Sequence, residues 1–179
     1  MVDGPEAWYA EVYRSRYPAL PFMIDFLGDN SIVFLDDTNI LKCSKIRKEI
    51  EQKLAKGTSF PNVIHPTAQI NETVRFGKGN IFLQNVIISC DVSIGDFCVF
   101  DRVVNIGHDS KIGSHVHFSP LAVLSGNTSI GNLVEIGSHA AIKQKISIID
   151  NSIVGMGAVV VKNIDNVGVY VGNPAKKIK

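Results

Sequence analysis

The residues best suited to chemistry lie in one stretch, NIGHDSKIGSHVHFSP (105–120), which holds three of the chain's five histidines. In this stretch His108 is followed directly by Asp109. A carboxylate that accepts a hydrogen bond from one imidazole nitrogen fixes the tautomer and makes the other nitrogen more basic. The pair therefore has the composition of a general base. It is equally compatible with a solvated turn, and spacing alone does not decide between the two.

Histidine and cysteine spacing argues against a metal site. The chain has no Cys-x-x-Cys pair and no cluster with the spacing of a closed zinc site, so we predict that no metal is bound. Its three cysteines, Cys43, Cys90 and Cys98, favour reduced thiols in a cytoplasmic protein. With a net charge of +1 and no apolar run long enough for a bilayer, we expect neither a nucleic-acid nor a membrane partner.

The elements that position these residues are indicated by a repeat of six residues. A bulky apolar residue recurs at every sixth position, and a small or β-branched residue commonly follows four positions later. The bulky positions are Ile64, Ile70, Phe76, Phe82, Ile88, Ile94, Phe100, Ile106, Ile112, Phe118, Leu124, Ile130, Ile136, Ile142, Ile148, Val154 and Val160. A period of six fits neither a helix nor a simple strand, and it predicts a short strand followed by a tight corner. Gly, Asn and Asp are expected at the corners because they tolerate unusual backbone angles.

Three such edges close a triangular coil of about eighteen residues, and stacked coils satisfy their backbone groups at a spacing of about 4.8 Å. The predicted fold class is therefore mainly β, a parallel β-helix, with Phe82, Phe100 and Phe118 as one interior ladder. His108, two residues after an inward position, is expected to point outward near the middle of an edge. Gly126 lies one coil above it and is expected to leave open space for a ligand.

The chain before the repeat is predicted to be a small α/β segment. SIVFLDD (31–37) has the pattern of a buried strand that ends in Asp36 and Asp37, and SKIRKEIEQKLAKG (44–57) has that of an amphipathic helix. We predict two domains, residues 1–60 and 61–179. The two carboxylates are positioned to bind a ribose or base of a substrate, or simply to cap a turn.

Several short motifs together resemble one subfamily of the hexapeptide-repeat acetyltransferases. They are FLDD, IRKEIEQKL, VIHPTA, GHDSKIG, SPLAVLSGN, GSHAAI and GVYVGNPAK, and they span about residues 31–179. The subfamily contains sialic-acid O-acetyltransferases and N-acetyltransferases of UDP-linked 4-amino sugars. The resemblance implies a left-handed β-helix, acetyl-CoA as co-substrate and a homotrimer. The chain departs from the family by lacking its glycine-rich opening turn and a third strand, so we expect weak nucleotide-sugar binding.

The resemblance also implies roles for individual residues. His108 matches the catalytic base and Asp109 its acidic neighbour, while His117 matches a histidine that contacts acetyl-CoA. The further positions that it implies for cofactor binding are Gly126, Ser138 and Met156, with Gly155 and Gly157 permitting close approach. The function expected is acetyl transfer to an amino or hydroxyl group of a sugar or nucleotide-linked sugar. Two alternatives are transfer to a small acceptor such as serine and a non-catalytic β-helix scaffold.

Overall fold

The computed structural model describes residues 60–179, which form a parallel β-helix and confirm the mainly β class. The strands are β1 (Val63–Ile64), β2 (Gln69–Ile70), β3 (Arg75–Phe76), β4 (Ile81–Phe82), β5 (Ile87–Ile88), β6 (Ser93–Ile94), β7 (Val99–Phe100), β8 (Asn105–Ile106), β9 (Lys111–Ile112), β10 (His117–Phe118), β11 (Val123–Leu124), β12 (Ser129–Ile130), β13 (Glu135–Ile136), β14 (Ala141–Ile142), β15 (Ser147–Ile148), β16 (Ile153–Val154), β17 (Val159–Val160), β18 (Val169–Val171) and β19 (Lys176–Lys177). The predicted strand 31–37 and helix 44–57 lie outside the described residues, and the predicted division into two domains stays a prediction. Within the described part there is no helix long and apolar enough to cross a membrane.

The strands stack into three sheets, one for each side of the prism. Sheet A contains β1, β4, β7, β10, β13, β16, β18 and β19, sheet B contains β2, β5, β8, β11, β14 and β17, and sheet C contains β3, β6, β9, β12 and β15. From β1 to β17 every third strand pairs in parallel and in register, as when Phe100 opposes both Phe82 and Phe118. The eighteen-residue coil is thereby confirmed. The last pair, β18 and β19, is antiparallel and ends sheet A.

The interior is filled by the two positions of each repeat that the sequence pattern marks. Phe82, Phe100 and Phe118 are fully buried and stack with ring centroids 4.8 and 5.2 Å apart, which confirms the predicted ladder. The residues four positions after them, such as Val86 and Val104, are also fully buried. Burying a side chain of this size contributes roughly 1.5–3 kcal/mol, so the stacked interior is the main stabilising feature of the prism.

The corners repeat one unusual backbone conformation. We name each corner by the sheets that it joins, so the A–B corner connects a strand of sheet A to the next strand of sheet B. The third residue after each inward strand residue commonly has positive φ, as at Asn85 and Asp109. The expectation of Gly, Asn or Asp is wrong at Phe97, Val103, His115, Leu121, Leu133, His139 and Lys145.

Hydrogen bonds between coils explain why other residues accept this conformation. The Val103 N–H donates to the Gln84 carbonyl at 2.9 Å, and the Leu121 N–H donates to the Arg102 carbonyl at 3.0 Å. The conformation is therefore imposed by the coil below rather than chosen by the local residue. A β-branched residue such as Val103 remains the least suited to it.

Exchanging the corner residues of two successive coils tests this account. Val103→Asn should raise the free energy of unfolding by about 1 kcal/mol, because asparagine tolerates positive φ and the valine is largely exposed. Asn85→Val, one coil below on the same corner, should lower it by a similar amount. Denaturant titration of both variants provides the measurement. A destabilised Val103→Asn variant would show that the valine's packing outweighs its backbone strain.

Candidate active site

The pair His108 and Asp109 lies in the corner that follows β8, where the chain turns from sheet B to sheet C. The expectation that His108 lies near the middle of an edge is therefore wrong, because the strand ends at Ile106. Asp109 has a φ of 56°, and its N–H donates to the Cys90 carbonyl at 3.1 Å. This conformation turns the carboxylate back towards the preceding residue.

The imidazole and the carboxylate form a direct hydrogen bond. His108 Nδ1 lies 2.7 Å from Asp109 Oδ2, while the two side chains remain 60% and 56% exposed. A deprotonated carboxylate can only accept, so Nδ1 carries the proton and Nε2 keeps its lone pair in the neutral imidazole. The corner thus presents a ring whose tautomer is fixed and whose surface a substrate can reach.

Gly126, one coil above, is in contact with this ring. A Cβ atom at residue 126 would lie only 2.6 Å from His108 Nε2 and 2.8 Å from Cε1. The space that glycine leaves is therefore filled by the imidazole itself, and the expected open channel at this point is wrong. In the same corner the Asn127 N–H donates to the His108 carbonyl at 2.7 Å. The coil of Gly126 therefore contacts both the backbone and the side chain of His108.

Two buried hydroxyls beneath this corner are not among the predicted site residues. Ser110 and Thr128 occupy inward positions four residues after Ile106 and Leu124, and their relative exposures are 0% and 2%. The signal that marks them is a polar residue where most inward positions are apolar.

The other candidate cofactor residues lie elsewhere on the prism. His117 is the first residue of β10, in register between Val99 and Glu135 on sheet A, and is only 2% exposed. Ser138 and Met156 lie on the A–B corner, where Met156 is 76% exposed. One chain therefore does not bring either group to the B–C corner of His108.

The flanking glycines differ in their surroundings. A Cβ atom on Gly155 would lie 2.7 Å from Val171 Cγ1, so its small size is required by the chain's own packing. Gly157 has a φ of +67° and nothing within 4 Å of its Cβ position, so it leaves open space beside Met156.

The remaining histidines, cysteines and acidic residues do not form a second candidate site within the described residues. His115 is buried, and its ring stacks on Phe97 with centroids 5.3 Å apart. Among residues 60–179, no three His, Cys, Asp or Glu side chains are grouped so as to hold a metal ion. Neither Cys90 nor Cys98 forms a disulfide within the described residues, and Cys98 Sγ lies 3.1 Å from the Gly113 carbonyl. Asp36 and Asp37 lie outside the described residues.

One curated relative and several solved structures are similar to this chain. No family model matches the chain. Over 129 residues it is 33% identical to the GDP-perosamine N-acetyltransferase of Escherichia coli O157:H7, which covers 72% of this chain and 50% of that protein. The chain thus spans half the length of the curated relative that it matches.

Two solved structures share the fold closely. The acetyltransferase domain of PglB from Neisseria gonorrhoeae FA1090, in complex with acetyl coenzyme A, superposes with a TM-score of 0.78 at 27% identity, covering 88% of this chain and 76% of that one. PerB from Caulobacter crescentus, in complex with CoA and GDP-perosamine, has a TM-score of 0.76 at 28% identity, covering 90% and 75%.

The stacked hexapeptide strands form a parallel β-helix, and the structures that it superposes on identify it as a left-handed one. The chain belongs to the family of hexapeptide-repeat sugar acetyltransferases. The resemblance read from its motifs is thereby confirmed at the level of family and fold.

A methyl group at residue 126 should displace the candidate base without unfolding the corner. In Gly126→Ala we expect the His108 imidazole to move by roughly 1 Å, because the exposed ring yields more easily than the backbone. A crystal structure gives the displacement and the Nδ1 to Oδ2 distance. Gln144→Ala, one coil further along the same corner, is the matched control. An undisplaced ring in Gly126→Ala would contradict the described contact.

Proposed function

We propose that the protein is an acetyl-CoA-dependent acetyltransferase that acts on an amino sugar, with His108 as general base. The observation that carries this proposal is the 2.7 Å hydrogen bond from His108 Nδ1 to Asp109 on an exposed corner. An amine that attacks a thioester must lose a proton as the new bond forms. Nε2, the ring nitrogen that is not bonded to Asp109, lies beside Gly126 and has the lone pair that can accept this proton.

The proton balance of the reaction follows from this tautomer. The acceptor nitrogen attacks the acetyl carbonyl, and its proton passes to Nε2 of His108. Asp109 stabilises the imidazolium that results. The carbon–sulfur bond then breaks, and Nε2 returns the proton to the leaving thiolate. General-base assistance of this kind is typically worth roughly 10² to 10⁴ in rate, and holding both substrates in one cleft adds to it.

The nature of the acceptor is supported by the relatives rather than by this chain's own contacts. The E. coli relative is named as an N-acetyltransferase of GDP-perosamine, and the PerB structure contains CoA and GDP-perosamine. We therefore propose N-transfer to a nucleotide-linked amino sugar as the first activity to test. Asp36 and Asp37, proposed contacts to that nucleotide, belong to the shortened segment for which we expect weak nucleotide affinity.

The scattered cofactor residues lead us to propose a homotrimer with CoA bound between subunits. Suppose that sheet A of one subunit faces sheet C of the next around a three-fold axis. The A–B corner of the first, with Ser138 and Met156, then borders the B–C corner of the second, with its His108 and Gly126. His117 lies on the contact face between them. Closed rings are the usual outcome of such head-to-tail contacts.

The alternative orientations do not produce a shared cleft. With the A–B corner at the axis, Ser138 and Met156 are enclosed there. With the B–C corner at the axis, His108 is enclosed instead. The proposed orientation also places exposed apolar residues of the A–B corner, Val103 and Leu121, along the cleft. Ligand clefts are mostly apolar with a few polar groups, which supports this choice.

Loss of the imidazole should remove turnover but not CoA binding. With acetyl-CoA and GDP-perosamine, His108→Ala should lower kcat by at least about 10², because the general base is absent. Thiol release measures turnover, and calorimetry measures CoA affinity. His65→Ala, a histidine in the first coil, is the matched control. Unchanged kcat in His108→Ala would contradict the assignment of His108 as the base. If the wild-type protein turns over no amino sugar and no serine, the non-catalytic β-helix scaffold is favoured instead.

The trimer can be tested by mixing two defective subunits. Light scattering should give three times the mass of one chain at micromolar concentration. If each cleft combines His108 of one subunit with His117 of another, co-expressed His108→Ala and His117→Ala chains should recover about a quarter of wild-type activity, since that fraction of clefts is intact in random trimers. Each variant alone should stay impaired. No recovery, or an active monomer, would contradict the shared cleft.

A further inference from the structure

At the B–C corner the inward residues are polar in the two coils that contain His108 and Gly126, and apolar in the coils on either side. In the coils on either side the inward residues are Val92 and Ile146, which are buried and apolar. In the His108 and Gly126 coils they are Ser110 and Thr128, also buried. Buried hydroxyls cost free energy unless they are hydrogen-bonded, and they gain little over an apolar pair when they are. Stability alone therefore gives no reason for the change.

Ser110 connects the backbone of His108 to the next coil. Its Oγ lies 3.3 Å from the His108 carbonyl, to which it can donate, and 3.0 Å from Thr128 Oγ1. The Thr128 N–H donates to the same Ser110 oxygen at 3.4 Å. The His108 carbonyl also accepts from the Asn127 N–H at 2.7 Å. The His108 carbonyl thus accepts from one donor in its own coil and from one in the coil above, and the Thr128 N–H joins Ser110 to that upper coil.

Thr128 contacts the backbone next to Gly126. Its hydroxyl donates to the Ser125 carbonyl at 3.2 Å, directly before Gly126. When Ser110 donates to the His108 carbonyl and Thr128 donates to the Ser125 carbonyl, the bond from the Thr128 N–H to Ser110 Oγ joins the two segments inside the prism. Gly126 meets the imidazole on the outside of the same corner. A change in the spacing of these two coils would change the position of the ring.

We propose that Ser110 and Thr128 are positioning residues that hold the His108 imidazole against Gly126 and in hydrogen-bonding distance of Asp109. The proposal rests on the function assigned above to His108. Neither hydroxyl touches a substrate, because both lie inside the prism. They act by fixing the two backbone segments between which the base is held.

Removing both hydroxyls together provides the test. Ser110→Ala/Thr128→Val makes this corner apolar, like the coils that flank it, so we expect a thermal midpoint close to that of the wild type. We expect kcat with acetyl-CoA and GDP-perosamine to fall by about 10-fold to 10²-fold with little change in KM, since small displacements of a base are costly. The swapped pair Ser110→Thr/Thr128→Ser keeps both hydroxyls and should retain kcat. Ser152→Ala, which removes a buried hydroxyl from another corner, is the control.

A spectroscopic measurement separates this proposal from the proposed function. In protein labelled with ¹³C-histidine, the Cε1–Hε1 signal of His108 is identified by its loss in His108→Ala. In the double variant this signal should shift or broaden, and in the swapped pair it should not. An unchanged signal in the double variant overturns the positioning role, whether or not His108 is catalytic. A shifted signal with unchanged kcat also overturns it if His108→Ala is inactive.

If His108→Ala keeps its turnover, the proposed function fails and the imidazole signal alone decides the positioning role. Should the double variant not fold, Ser110→Ala gives the same comparison, because it removes the contact to the His108 carbonyl and leaves the bond from Thr128 to Ser125. The same loss of kcat and the same shifted signal are expected there, and wild-type values for both overturn the proposal.

Discussion

Hydrogen bonding between successive coils is the constraint on which the rest of this structure depends. Each strand from β1 to β17 has two residues, and β8 is held only because it pairs in parallel with β5 below and β11 above. Such short strands have no stability of their own, so the prism is stable only as a stack of neighbours. The pairing also fixes the period, because an inserted residue would exchange inward and outward side chains along the following edge. An uninterrupted repeat from residue 64 to 160 is the consequence.

The same constraint makes the candidate base. The left-handed conformation of Asp109 and the bond from its N–H to the coil below belong to a corner geometry that recurs along the prism. In most coils this corner conformation serves only to turn the chain, and at Val103 it strains the backbone. Beside His108 it brings a carboxylate to 2.7 Å from an exposed imidazole. Few additional features are then needed, namely a glycine for the ring to rest on and a hydroxyl pair that fixes the backbone.

A single prism also limits what one chain can do. Its outward residues point from three sides and three corners, so residues that are close in sequence, such as His108 and His117, face in different directions. Within residues 60–179, one copy does not bring the A–B corner of Met156 to the B–C corner of His108. In the proposed trimer a second copy would bring these two corners together, which is the physical reason for proposing an assembly.

The sequence by itself determined the coil period, the interior ladder and the pairing of His108 with Asp109. Hydrophobic periodicity is expressed directly in spacing, and chain neighbours remain neighbours in any fold. Only the tertiary structure decided that His108 lies in a corner rather than on an edge, that its ring fills the space beside Gly126, and that His115 is buried against its neighbours. Each of these facts depends on atoms eighteen residues away in the sequence. A repeating pattern specifies which coils are adjacent, but it leaves the exact separation of their side chains to the packing of the folded chain.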